Sequence, residues 1–263
     1  MKTLIKTIYI FFILSSLVLQ GCGKKENKNT SSSPIPPNST PALSVDPQKT
    51  GMIKGKVLFK GEAPTPQELP IRGNPECSVF HPGKVYAQEL LVQNGRIENV
   101  FIYVKEGLEN YSFETPKTSI KMDQSKCLYV PHVLGVQVNQ PVLLVNSDPT
   151  LHNVHSYSKN NPSWNLGMPF EGMEITKTFS SPEVMISLKC DVHPWMTGYL
   201  GVVSHPYFVV TEAEGTFELK NLPPGKYVIE AWHEKLGTQD QSIEITPDEE
   251  KELEFTFELL DKK

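Results

Sequence analysis

The chain has few of the features that announce the common functional classes. No segment keeps apolar residues at the 3.6-residue period for three turns, which excludes a helical bundle and leaves a strand-built protein. Positive charge is in the minority: 25 Lys and Arg stand against 30 Asp and Glu, a net charge of −5. With no basic patch either, a protein that holds nucleic acid through its phosphates is excluded. Cysteine is scarce, four in 263 residues, too few for a small disulfide scaffold and too many to leave unassigned. With 38% hydrophobic residues, 17 Gly and 22 Pro, the composition is globular rather than collagen-like or mostly disordered.

No long hydrophobic run is present at the N-terminus. Lys2 and Lys6 precede an apolar stretch from Ile8 to Leu19, twelve residues, where a bilayer-spanning helix needs about 20. A short charged start, a short apolar core and small residues at its end describe a secretory signal peptide, expected over residues 1–21. Its end, Leu19-Gln20-Gly21-Cys22, resembles the bacterial lipobox, which implies that Cys22 becomes the lipid-modified first residue of the mature chain. Losing Lys2 and Lys6 would leave 242 residues with 23 basic against 30 acidic groups, a charge of −7. Gly23 stands where some lipoproteins carry the aspartate that retains them at an inner membrane, which points to the outer one. Residues 22–50, rich in Lys, Asn, Ser, Thr and Pro, have almost nothing apolar to bury and are expected to form a flexible tether.

From Gly51 onward short alternating runs take over, among them Ile53-Lys54-Gly55-Lys56-Val57-Leu58-Phe59, Val100-Phe101-Ile102-Tyr103-Val104 and Val184-Met185-Ile186-Ser187-Leu188. Gly, Pro and Asn punctuate them, and the expected fold is all-β with two β-sandwiches. Gly51 to Val57 with Gly61-Glu62-Ala63-Pro64 resembles the opening of a carboxypeptidase-regulatory-like, transthyretin-type sandwich. That resemblance resumes at Thr211 to Phe217 and at Leu222-Pro223-Pro224-Gly225-Lys226-Tyr227-Val228. The gap between the two stretches is too long for a structureless loop and implies an inserted domain. The expected division is 51–114 and 206–260 for the host sandwich and 115–205 for the insert.

The insert carries Cys190-Asp191-Val192-His193-Pro194-Trp195-Met196, with His152 upstream in Thr150-Leu151-His152-Asn153-Val154. Two imidazoles and a thiolate with a weak thioether suit copper, whereas zinc prefers four strong ligands. Val184, Ile186, Leu188 and Cys190 are expected to share one face of a strand, placing the thiolate at the rim of a core. This C-x-x-H-P-x-M loop with an upstream His-Asn-Val is similar to the blue copper (cupredoxin) family, amicyanin/plastocyanin-like, over about 121–205. The family's leading strand is matched by Pro131 to Gln140, with Asn139-Gln140 where a glycine is usual. The resemblance implies His152, Cys190 and His193 as equatorial ligands, Met196 as the axial one, and Asn153 as a brace on the ligand loop. It also implies that His193 faces solvent, with Pro194 and Trp195 in an apolar patch that passes electrons.

The remaining candidates have competing readings. His155 lies three residues from His152, on the opposite face of a strand, and cannot share its metal unless the strand is bulged. His205 and His233 have no partner motif and read as structural polar groups. Met168 and Met173 belong either to a copper(I) transfer surface or to the apolar end of a sandwich. Cys77 and Cys127 form a disulfide in an exported chain, or with His81 and His132 a Cys2His2 metal site. The resulting expectation is a non-enzymatic, lipid-anchored type 1 copper electron carrier facing the periplasm or exterior, serving a protein donor and a protein acceptor. A copper-delivery protein and a structural module with a vestigial site are the alternatives. Paired His-x-His ligands and a Cys-x-x-Cys-His motif are both absent, so no oxygen-reducing copper cluster or attached haem is expected.

Overall fold

The computed structural model describes residues 43–259; Cys22, the expected signal peptide and the first part of the tether lie outside the described residues. The attached part of the chain begins earlier than composition implies. Leu43 donates its backbone N–H to the Asn110 carbonyl at 2.8 Å and accepts from Ser112 at 3.2 Å, so the chain is already attached to the domain there.

Four strands come first: β1 (Gly51–Phe59), β2 (Val92–Gln93), β3 (Arg96–Ile97) and β4 (Phe101–Glu106). Nine follow in a continuous block: β5 (Ile120–Ser125), β6 (Leu128–Val130), β7 (Val133–Gln137), β8 (Val142–Asn146), β9 (His152–Tyr157), β10 (Trp164–Met168), β11 (Met173–Lys177), β12 (Glu183–Lys189) and β13 (Thr197–Val203). The last five are β14 (Phe208–Val210), β15 (Thr216–Leu222), β16 (Gly225–His233), β17 (Gly237–Ile245) and β18 (Glu250–Phe257). The only described α-helix is one turn, Pro75–Ser78.

The pairing nests one sandwich inside another. β1 takes β15 and β3 antiparallel on one edge and β18 in parallel on the other, while β14, β4, β16 and β17 form the facing sheet. Both sheets therefore combine strands from before and after the β5–β13 block. Their alternating inward residues, including Ile53, Val57, Ile102, Phe217, Ile229 and Phe255, make one core. The block itself forms a second pair of sheets, β10-β9-β12-β13-β7 and β11-β8-β5-β6, around Met122, Leu144, Val154, Ile186, Leu188 and Leu200. At Asn139 the backbone takes φ +64°, so an asparagine fills the left-handed turn where glycine is usual. The inward stripe of β12 begins at Ile186 rather than Val184. A register shift between Glu183 and Ile186 turns Val184 and Met185 toward a third cluster.

That third cluster joins the two sandwiches. Gly135 of β7 and Gly201 of β13 are paired across parallel strands. A Cβ on Gly201 would stand 2.6 Å from the Phe101 ring, and one on Gly135 would stand 2.5 Å from the ring of Phe208. Aromatic rings from β4 and β14 thus rest on bare backbone, and only glycine permits that approach. His132 and Glu234 add a buried side-chain hydrogen bond between the β6–β7 turn and the β16–β17 turn.

Candidate metal centre

The centre is set by β9 and β12, which run antiparallel with Lys189 opposite His155. Extending that register places His152 and Asn153 beside the loop that leaves β12 at Cys190. The loop closes on itself: the Met196 N–H donates to the His193 carbonyl at 2.9 Å, and the Cys190 N–H donates to the Met196 carbonyl at 3.2 Å. Met196 is fully buried in the same core as Cys190.

His152, Cys190 and His193 offer ligand atoms that all lie within 4.8 Å of one another, and all three side chains are buried. The two Nδ1 atoms are 2.9 Å apart, and His193 Nδ1 is 3.9 Å from the Cys190 sulfur. Nitrogen and thiolate ligands stand about 2.0 and 2.3 Å from a bound zinc ion, so small adjustments would bring these three onto one ion. Two imidazoles, one thiol and a neighbouring thioether are the donor set that suits copper. His193 Nε2 is buried with no hydrogen-bond partner.

Neighbours shift the thiol toward its thiolate. Burial pushes the Cys190 thiol up, but the His152 imidazole and the backbone N–H groups of Asn153, His193 and Val192 together bring it below its ordinary value. Burial also pushes His152 down, yet hydrogen bonds with Asp148 and Cys190 carry it above the usual histidine range. His193 is held low, by burial first and then by His152.

Asn153 ties the two strands' ends together. Its Oδ1 accepts the Asp191 N–H at 2.7 Å and lies 3.4 Å from the Cys190 sulfur, while its Nδ2 donates to Asn165 at 2.7 Å. Asp148 is a further member that the sequence reading missed. Its carboxylate accepts from Lys126 and Cys127 N–H groups at 2.6 and 2.7 Å and meets His152 Nε2 at 2.9 Å. A carboxylate on the far nitrogen fixes the tautomer that leaves Nδ1 for a metal. The four-residue spacing from Asp148 to His152 was the only sequence signal, and by itself it is ordinary.

His193 does not face solvent: its exposure is 0%. The excursion between β1 and β2 covers it, bringing the one-turn helix and Cys77 over the ligand loop. Cys77 and Cys127 form a disulfide, S–S 2.04 Å, and both sulfurs lie within 4.8 Å of a His193 ring nitrogen. The disulfide takes both cysteines out of the Cys2His2 alternative, whose histidines are engaged elsewhere, His81 with the Lys126 carbonyl and His132 with Glu234. Trp195 packs 5.1 Å from the His193 ring and donates its indole N–H to the Cys127 carbonyl at 3.1 Å. Pro194 is exposed and Trp195 half-buried. The apolar residues next to the candidate ligands are exposed although the histidine is not: Leu151 beside His152 and Val192 beside His193.

The other candidates lie off the centre. His155 is partly exposed and bonds to Asp191. Met168 is fully buried and its sulfur accepts from Gln124 at 2.9 Å, and Met173 packs against the same core. His205 donates to the Val104 carbonyl and accepts from the Tyr207 N–H, so both ring nitrogens are satisfied.

No family profile and no curated protein matches this chain. Among solved structures it is similar to a reduced amicyanin mutant, 26% identical over 34% of this chain and 86% of that one, with a TM-score of 0.29. A Cu(I) form of another amicyanin mutant gives 25% identity over 34% and 86%, also with a TM-score of 0.29. A purple cupredoxin from Nitrosopumilus maritimus gives 22% over 32% and 98%, with a TM-score of 0.28. Superpositions this low leave the chemistry to be decided by the side chains described above.

Proposed function

We propose that the chain is a type 1 copper protein that carries single electrons at the cell envelope, tethered by a lipid on Cys22. The observation that supports it is the buried convergence of His152, Cys190 and His193, with Met196 closing the same loop. Copper supplies a one-electron Cu(II)/Cu(I) couple in such a set. The chain's own contribution is to keep the ligands in place. Asp148 orients His152, Asn153 anchors the loop, and the N–H groups aimed at Cys190 favour its thiolate. A ligand set fixed by packing changes little between oxidation states, so each transfer needs little reorganisation. No residue is assigned a catalytic role.

Because His193 is covered, exchange with a protein donor and a protein acceptor would pass through Trp195 and the apolar residues around it rather than through a bare imidazole. Voltammetry of the copper-loaded protein tests the reading. A reversible one-electron couple is expected, shifted in Met196→Ala and absent in Cys190→Ala; an unchanged couple in Cys190→Ala would overturn the ligand assignment. Mass spectrometry of the mature N-terminus tests the anchor, and an unmodified start elsewhere than Cys22 would remove it.

A further inference from the structure

The disulfide beside the metal set has a second use. A ring nitrogen of His193 lies within 4.8 Å of the sulfurs of both Cys77 and Cys127. His193 Nδ1 faces His152 and Cys190, which leaves Nε2, buried and without a partner. A buried polar atom in that state costs about 1–3 kcal/mol, so its presence in a tightly packed site points to a ligand.

The two cysteines are also held together by contacts other than their covalent bond. Asn74 accepts from the Glu76 and Cys77 N–H groups at 3.0 and 3.1 Å, and the Glu76 carboxylate accepts from the Thr150 hydroxyl. On the other side the Cys127 N–H is fixed by Asp148 at 2.7 Å, and the Trp195 indole holds the Cys127 carbonyl. None of these anchors runs through the S–S bond, across which the two Cα atoms are 5.7 Å apart.

We propose that reduction of this disulfide by a dithiol converts Cys77, Cys127 and His193 into a second, thiolate-rich site for Cu(I), adjoining the first and sharing His193 with it. The dithiol delivers two electrons and two protons to the S–S bond and leaves as its own disulfide. Cu(I) then displaces the two thiol protons and is held by two thiolates and one imidazole nitrogen. Two soft thiolates select Cu(I) over harder divalent ions. A neutral imidazole has one lone pair and one N–H, so His193 serves one site at a time, its proton moving between Nδ1 and Nε2. The pair of sites is thus a route by which Cu(I) enters on Cys77 and Cys127 and passes to His152 and Cys190.

The test uses the full-length Cys190→Ala protein, in which the first site lacks its thiolate. Cu(I) is titrated anaerobically against a chromogenic Cu(I) chelator, with the disulfide either intact or reduced by an immobilised dithiol. The reduced form is expected to withdraw one equivalent; the oxidised form is not, nor is a variant that adds Cys77→Ala and Cys127→Ala. Adding His193→Ala should weaken uptake by about tenfold or more. Equal uptake by oxidised and reduced protein would overturn the proposal. A second measurement uses the same Cys190→Ala protein, from which Cu(I) cannot pass on to a thiolate: after reduction, Cu(I) should shield Cys77 and Cys127 from alkylation, read peptide by peptide, and equal labelling with and without Cu(I) would also overturn the proposal. Failure of the electron-carrier reading is separately visible, as wild-type protein with its disulfide intact that takes up no copper.

Discussion

Replacing both Cys77 and Cys127 by alanine in the metal-free protein isolates what the covalent link contributes to stability. The cysteines are 50 residues apart, and in the chain-entropy treatment a loop of that length restrains the unfolded chain by about 4 kcal/mol. Alanine is the right replacement because both positions are fully buried in the apolar cluster around Cys190, where a serine hydroxyl would add its own desolvation penalty. Each kcal/mol shifts the melting temperature of a chain this size by about 2–4 °C, so calorimetry should show a fall of about 8–16 °C. Urea titration should show the same loss as a lower midpoint with a steeper slope, because the unlinked unfolded chain exposes more surface. A loss under about 1 kcal/mol would refute the reasoning. The excursion between β1 and β2 would then be held by Asn74, Glu76 and Trp195 alone.

Stability of the metal-free protein should also fall as pH drops from about 6.5 toward 4. Burial pushes His205 and His233 down to about 4, while the unfolded chain titrates near 6.5 and binds more protons throughout that window. Each contributes about 3 kcal/mol to the total loss across that window, and His205→Gln should remove its share; a stability that is flat across this range would contradict the assignment. Gly201→Val should destabilise by about 1–3 kcal/mol through overlap with the Phe101 ring, and Phe101→Leu in the same chain should recover part of it; strictly additive losses in that double-mutant cycle would exclude the contact. Asn153→Ala should leave His152, Cys190 and His193 present but weaken copper affinity by about 10–100-fold in chelator competition, whereas unchanged affinity would show that the loop is held without it.

The strand pattern and the grouping of Cys190, His193 and Met196 were legible because both are local. Alternation along β1, β15 and β18 follows from the two-residue period of a strand, and Cys190, His193 and Met196 fall within one loop. The break in sequence between the Gly51 and Thr211 motifs likewise corresponds to strands that pair across the insertion, β1 with β15 and β18. Other features depend on contacts between distant segments. The burial of His193 could not be read from its neighbours, since the chain that covers it lies more than a hundred residues upstream. Asp148 gained its role only when the β5–β6 turn brought Lys126 and Cys127 against it. The stripe on β12 was misjudged at Val184 because a bulge shifts the period locally, and the attachment of Leu43 to Asn110 is invisible in a composition that reads as spacer.

The central claim is that His152, Cys190 and His193 bind copper as one set. One equivalent of Cu(II) added to the wild-type protein with its disulfide intact tests it most directly. An intense visible charge-transfer band with narrow copper hyperfine splitting is expected, absent from Cys190→Ala. A colourless protein, or a band that survives in Cys190→Ala, would contradict it.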